Sequence, residues 1–345
     1  LGALIQPFGG FDMPIQYTNI IDEHKAVREH VGVFDVSHMG EIIISGHDAP
    51  RFVNHIFTND VTKMKPGDVM YGMMCYEDGG TVDDTCVDML EPNRYFMTVN
   101  AANVDKDSEW VHKQAEKFDV VVCYKSDWWN QLAIQGPEAE KTVTEVLHLP
   151  VSDLKFYQCK EVLRFDDSVI VSRTGYTGED GFEVYGDKEY IRDAWDRLMR
   201  AGVKPCGLGC RDTLRFEVGL PLYGDELSKD ISPIMAGLGH FVDFDKPEFI
   251  GREALLKQKT EGVAKRLRGI QLDVPRHGYK VLRDGKEVGE VTTGYRLISA
   301  DKSCAVALVD SSLKLGDRVE IQIRKKTFPG TIVKKRLVDT HYKKD

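Results

Sequence analysis

Asp83 and Asp84 are adjacent carboxylates in the stretch CYEDGGTVDDTCVDMLEPNRYFMTVN, which runs from Cys75 to Asn100. A carboxylate held beside a reacting group steers and relays a proton, so this pair is the chain's first candidate for chemistry. Asp78-Gly79-Gly80 just before it reads as the turn of a β-hairpin, because glycine reaches the positive φ values that tight turns need. Neighbouring side chains in a strand point to opposite faces. Asp84 then shares a face with Val82, Cys86 and Asp88, and Asp83 with Thr81, Thr85 and Val87. One acid of the pair therefore faces a pocket or a polar cluster. Standing alone, the pair would read as decoration of an edge strand; the rest of the chain decides.

Two further stretches carry suitable groups. In VIVSRTGYTGEDGFEVYG, strands Val169 to Ser172 and Phe182 to Tyr185 flank a loop with Gly175, Gly178 and Gly181. Such a loop lets backbone approach a ligand, and it presents Tyr176, Glu179 and Asp180 beside the strand residue Glu183. In VKPCGLGCRDTLRFEVGLPLYG, Arg211 and Arg215 repeat at helical spacing on one side, with Leu208, Leu214 and Val218 available for a core. Arg211 either pairs with an acid from another segment or belongs to an ordinary salt-bridged helix face. Gly207-x-Gly209 is not a dinucleotide fingerprint, since Asp212 stands at the third glycine position and no parallel βαβ pattern surrounds it. His38 has a strand on either side and reads as a hydrogen-bonded structural group. Trp128 and Trp129, at a strand entry, read as core. The seven cysteines have no CxxC and no metal-like spacing with His, so they read as buried thiols in a reducing compartment with no metal site.

The elements that position these groups follow from pattern. Asp22 caps a helix running to about His30, and Asp48 with Pro50 opens a second over HDAPRFVNHIFTND. The hairpin comes next, then a helical segment AANVDKDSEWVHKQAEKF and a returning strand DVVVCYKSD. Strand, helix, hairpin, strand, helix, strand suits an antiparallel sheet with helices on one face. WWNQLAIQGP is a strand, EAEKTVTEVLHL and KEYIRDAWDRLMRAG are helices, and from about Gly251 a short helix leads into strands separated by turns such as Asp284-Gly285. That last region reads as a separate small β-barrel or jelly-roll-like domain. No sequence repeats or low-complexity tracts stand out.

Length and composition set the bounds. With 345 residues the chain divides into more than one domain, and 42% hydrophobic with 29% charged residues is globular rather than disordered. No apolar run approaches the roughly 20 residues of a membrane span. A net charge of −9 argues against a nucleic-acid binder, which needs a basic stripe. The basic groups Arg324 to Lys326 and Lys334 to Arg336 read as solvated faces, or as a match for an acidic partner or tail.

Taken together, FDVSHMGE (Phe34 to Glu41), CYEDGGTVDD, VNAANVDKD (Val99 to Asp107), QGP (Gln135 to Pro137), SRTGYTGEDGFE (Ser172 to Glu183) and PCGLGCRDTLRFE (Pro205 to Glu217) closely resemble the aminomethyltransferase, or T-protein, family of the glycine cleavage system. The resemblance implies an α+β fold in a three-domain cloverleaf: two antiparallel-sheet α+β domains and a C-terminal β-barrel or jelly-roll-like domain. It implies a discontinuous first domain (1–45 and 126–245), an inserted domain (46–125) and a C-terminal domain (246–345). The implied reaction moves a one-carbon unit from an aminomethyl group on the lipoyl arm of H-protein to tetrahydrofolate. The products are 5,10-methylenetetrahydrofolate, ammonia and dihydrolipoyl H-protein, in glycine catabolism. The partners are then lipoylated H-protein and reduced folate, with no metal, nucleic acid or membrane.

Residue by residue, the resemblance makes Asp84 the catalytic acid and Tyr71, Asn100, Tyr176, Glu183 and Arg211 the folate pocket, with Asp83 structural. Glu183 would recognise the donor edge of a pterin, and Arg211 would hold that acid or meet the ligand. Three departures stand out: GYRLISADKSC (Gly294 to Cys304) replaces a Ser-Pro-Thr-Leu-like segment, Asp88 replaces a tyrosine and Phe11 a tryptophan. Of these, Asp88 is expected to alter the polarity of the pocket. Two alternatives share the cradle: a tetrahydrofolate-dependent demethylase of the superfamily, and a non-catalytic folate-binding accessory protein, whose cysteine-centred signature is absent here. The chain begins at Leu1 rather than Met, so location depends on the source: cytoplasm in a bacterium, mitochondrial matrix in a eukaryote.

Overall fold

In the computed structural model, which describes residues 1–164, 167–274 and 276–343, the hairpin that carries Asp83 and Asp84 is part of a five-stranded antiparallel sheet. Its order is Val69–Cys75, Thr81–Glu91, Arg94–Val99, Gly40–Ser45 and Val121–Tyr124. Gly79 takes φ +87° in the turn, and Asp78 Oδ1 accepts Gly80 N at 3.0 Å. Met73 lies opposite Asp84 and Met74 opposite Asp83, so the register fixes which acid faces which side. One face is covered by the helices Ala49–Ile56 and Val104–Ala115, around Phe52, Val53, Met74, Val82, Met97 and Val111.

A six-stranded sheet follows the same plan. Its order is Cys159–Arg164, Asp167–Ser172, Gly181–Asp187, Trp129–Gln135, Gly32–Asp35 and Lys204–Pro205, the last pairing parallel. Apart from the added Gly32–Asp35, strands and helices recur in the order of the first sheet. The corners match as well: Gly46 (φ +133°) and Gly136 (φ +130°) each end a strand and accept the first helical N–H, from Ala49 at 3.2 Å and Ala139 at 3.0 Å. Lys65 N donates to Asp68 Oδ2 at 2.9 Å, and Lys155 N to Gln158 Oε1 at 3.0 Å, in equivalent turns. These two turns meet at an antiparallel bridge between Asp68 and Gln158. The chain therefore contains a structural repeat that the sequence reading did not find. It is kept in backbone turns and burial rather than in matching side chains.

The two sheets pack through Ile43, Phe96, Trp129, Ile170 and Tyr185. Trp129 is core as expected, but Trp128 is exposed. The first helix, Ile20–Glu29, is capped by Asn19, whose side chain accepts Asp22 N at 2.8 Å; Asp22 sits inside the first turn, not at the cap. The C-terminal region closes as a barrel: Lys265–Gln271, Ser303–Asp310, Lys286–Arg296, Lys280–Arg283, Arg318–Ile323 and Lys326–Val333. The fold is thus α+β, with two antiparallel-based sheets and a β-barrel. All seven cysteines are free thiols; Cys86 and Cys123 are only half-buried. Among the described residues no helix is long and apolar enough to cross a membrane, and no cluster of three or more His, Cys, Asp or Glu could hold a metal ion.

Candidate active site

A cavity of about 1160 Å³ opens where the two sheets meet the helix Leu208–Glu217, the loops that follow it and the segment after the last barrel strand. It is ample for a ligand of a few tens of heavy atoms. Tyr71, Asp84, Asn100, Tyr176, Glu183 and Arg211 all line it.

Asp84 is the centre of one wall. Tyr71 Oη donates to its Oδ2 at 2.8 Å and Asn100 Nδ2 to its Oδ1 at 3.0 Å, so both carboxylate oxygens are held in place. The side chain fronts the cavity and is only half-buried by exposure, yet it lies deep in protein mass. Burial, and then the neighbouring Asp83, push its pKa up to about 7, while the Tyr71 and Asn100 hydrogen bonds pull the other way. Burial and Asp84 together raise the Tyr71 phenol, which therefore stays a donor. Asp83, on the opposite face of the strand, is fully buried and accepts Asn100 N at 2.9 Å, Asn100 Nδ2 at 2.8 Å and Asn103 Nδ2 at 2.9 Å. The alternation read from sequence thus separates the two acids, one into the cavity and one into a polar cluster.

Glu183, Tyr176 and Arg211 build another wall. Glu183 accepts Gln131 Nε2 at 2.9 Å and Thr174 Oγ1 at 2.6 Å. Tyr176 donates to Pro221 O, and the Arg211 guanidinium lies over its ring, 4.7 Å from the centroid. Arg211 forms no ion pair among the described residues, and its Nη1 is buried with no partner. Glu183 is near enough to favour the guanidinium charge against its burial, without touching it. The expected pairing to an acid belongs instead to Arg215, one turn on, which reaches Asp212 at 2.6 Å and Glu226 at 2.7 Å.

The cavity also recruits residues that sequence reasoning set aside. His38 is no hydrogen-bonded structural group: its Nδ1 has no partner, its ring lies against the edges of Phe8 and Phe11, and it lines the cavity. Burial, and then Arg211, pull its pKa down to about 3, so the imidazole is neutral. No local signal marks this, because Phe8, Phe11 and Arg211, which surround the ring, come from other stretches of the chain. Lys334, Lys335 and Arg336 line the cavity rather than a solvated face; Lys335 donates to Ala236 O at 2.8 Å, and burial pulls it down to about 8. Cys86 lines the cavity as well. Asp88 does not: it is buried behind the wall, hydrogen-bonded by Ser172, and reaches the lining only through its field on Cys86 and Tyr185. In the GYRLISADKSC segment, Ser299 and Ala300 reach the lining. Glu217 holds them there by accepting Ile298 N at 2.8 Å and Ser299 N at 2.9 Å.

Residues 1–246 match the GCVT N-terminal domain, and residues 265–339 the glycine cleavage T-protein C-terminal barrel domain. The chain is 48% identical to an aminomethyltransferase of Lysinibacillus sphaericus, over 94% of this chain and 91% of that protein. It is 45% identical to an aminomethyltransferase of Caldanaerobacter subterraneus, over 99% and 94%. Its fold superposes on the crystal structure of glycine cleavage system aminomethyltransferase T from Bartonella henselae with a TM-score of 0.95, at 30% identity, over 99% of this chain and 96% of that one.

Proposed function

The chain belongs to the glycine cleavage T-protein family and is an aminomethyltransferase, and on that premise we propose that the cavity is where tetrahydrofolate takes its one-carbon unit. The donor is the aminomethyl group on the lipoyl arm of an H-protein. Tetrahydrofolate supplies two nitrogens that replace sulfur and nitrogen on the transferred carbon. Their two protons leave to the lipoyl sulfur and to the departing ammonia, so the reaction needs an acceptor that both takes and returns a proton.

Asp84 is that acceptor. A carboxyl with a pKa near 7 is poised to do both at neutral pH, and the donors Tyr71 and Asn100 fix the plane in which it does so. The lining suits a reduced folate. Arg211 offers a guanidinium with an unused N–H, stacked on Tyr176. Glu183 keeps lone pairs for the donor edge of a pterin while Gln131 and Thr174 hold it still. Lys334, Lys335 and Arg336 give the carboxylates at the glutamate end a basic wall. The observation that carries the reading is the hydrogen-bonded Asp84 carboxyl facing this lining.

Replacing Asp84 by Asn keeps shape and hydrogen bonding but removes the proton acceptor. With aminomethylated H-protein as donor, turnover of Asp84→Asn should fall by about 10²–10⁴-fold while tetrahydrofolate binding stays within about threefold. Near-normal turnover would remove Asp84 from the mechanism. Transfer from methyl donors in place of the aminomethyl donor would favour the demethylase alternative.

A further inference from the structure

The two copies of the repeat differ at one corner in a way that backbone geometry alone does not explain. In the first copy, the turn 65–68 closes with Asp68 N donating to Lys65 O at 2.9 Å, around Pro66 and Gly67. In the second, the turn 155–158 closes with Gln158 N donating to Lys155 O at 3.0 Å, around Phe156 and Tyr157. The corners hold each other reciprocally: Cys159 N donates to Gly67 O at 2.8 Å, and Val69 N to Tyr157 O at 2.9 Å. Both therefore need the same backbone at the third residue, and φ is +91° at Gly67 and +63° at Tyr157. Pro-Gly is the pair that such a turn favours, because glycine takes positive φ freely. A tyrosine in its place is strained.

Among the described residues four other than glycine have positive φ; His148, Asp284 and Arg324 lie off the cavity, whereas Tyr157 lines it. Little inside the protein offsets the strain. The Tyr157 ring meets its neighbour Phe156 at 4.4 Å but joins none of the hydrophobic clusters, and its hydroxyl has no hydrogen-bond partner among the described residues. Backbone bonds fix where it stands. Val69, bonded to Tyr157 O, opens the strand that brings Tyr71 to Asp84. Tyr157 N donates to Arg173 O at 3.0 Å, and the next residue, Thr174, holds Glu183. Tyr157 is thus pinned between the Asp84 wall and the Glu183 wall.

We propose that Tyr157 is a binding residue for tetrahydrofolate, its ring set against the pterin that spans from Glu183 to Asp84. Flat heterocycles gain from an aromatic face, and the glycine that this corner favours has no ring to offer. The assignment rests on the reading of the cavity as the folate site.

Titration of the full chain with tetrahydrofolate tests it. Tyr157→Phe keeps the ring, and Kd should stay within about threefold of the parent. Tyr157→Asn keeps the corner, since Asn accepts positive φ, but lacks the ring, and Kd should rise about 10- to 100-fold. The same rise is expected with 6-methyltetrahydropterin, which lacks the p-aminobenzoylglutamate. A lower unfolding midpoint in Tyr157→Asn with Kd within about twofold of the parent would make Tyr157 a packing residue and overturn the proposal. Equal losses in the Phe and Asn variants would overturn it too, because the ring would then contribute nothing. A rise confined to whole tetrahydrofolate would put the ring on the p-aminobenzoyl unit and overturn the assignment to the pterin. Failure of the parent itself to bind tetrahydrofolate would sink the reading of the cavity and this assignment with it, whereas an unchanged Kd in Tyr157→Asn sinks this assignment alone.

Discussion

Tyr71 and Asp84 occupy in the first sheet the places that Glu161 and Ser168 occupy in the second. The registers establish this, because Tyr71 lies opposite Cys86 and Glu161 opposite Ile170, and the paired side chains sit two residues earlier in each case. Both pairs are hydrogen-bonded at 2.8 Å, Tyr71 to Asp84 Oδ2 and Ser168 to Glu161 Oε1. Glu161 is further held by Arg94 at 2.7 and 2.8 Å, whereas Asp84 opens onto the cavity. The strand ends differ in the same sense. Asp187, ending Gly181–Asp187, caps the next helix by accepting Glu189 N at 2.8 Å and Tyr190 N at 2.9 Å. Asn100 and Asn103 stand at helix caps too but make no side-chain cap bond; their amides go to Asp83 and Asp84. One backbone plan thus serves twice. The reactive copy differs by turning two capping amides away from helix ends and onto a pair of acids.

Arg211 and Arg215 repeat the contrast within one helix, and breaking the saturated partner should produce the largest loss of stability. Arg215 ties Asp212 and Glu226 together, and Glu226 also accepts from Thr292 and Thr293 at 2.6 and 2.7 Å. Arg215→Met strands that buried acid and should cost about 3–5 kcal/mol in denaturant unfolding. Arg211→Met has no ion pair to break; its stability should move by less than about 1 kcal/mol while tetrahydrofolate binding weakens. Equal losses of stability would show that the two arginines do the same job.

The next effect sharpens the comparison between the sheets. Asn100→Ala removes the amide shared by Asp83 and Asp84, leaving two neighbouring carboxyls without the donor between them. Turnover should drop about 10- to 100-fold and stability by about 1–3 kcal/mol. Unchanged turnover would make Asn100 a simple structural group, equivalent to Asp187 after all.

How far such differences can be read from sequence depends on where the partners come from. The hairpin, the opposite faces of Asp83 and Asp84 and the C-terminal barrel were legible, because turn residues and alternation are local signals. The residues around the cavity were named through motif resemblance, not through geometry. Arg211 and Arg215 look alike locally; Glu226 and Thr293, from later segments, separate them. His38 was misread because its surroundings, Phe8, Phe11 and Arg211, come from remote stretches. The repeat escaped because its signature is a set of backbone turns, Gly46 with Gly136 and Lys65 with Lys155, that different side chains satisfy.

The smallest predicted effect is the control for the whole comparison. Asp187→Ala removes an ordinary cap from the helix Lys188–Arg200 and frees two N–H groups at its start. Lost caps of this kind cost about 1 kcal/mol, so a modest fall in the unfolding midpoint is expected. Turnover and the pH profile should not move, because no acid of the cavity depends on Asp187. If turnover instead fell in proportion to that seen in Asn100→Ala, the ends of the two sheets would be coupled across the Asp68–Gln158 bridge. The division into a reactive and a structural copy would then fail, since rigidity of the second sheet would itself be setting the position of Asp84.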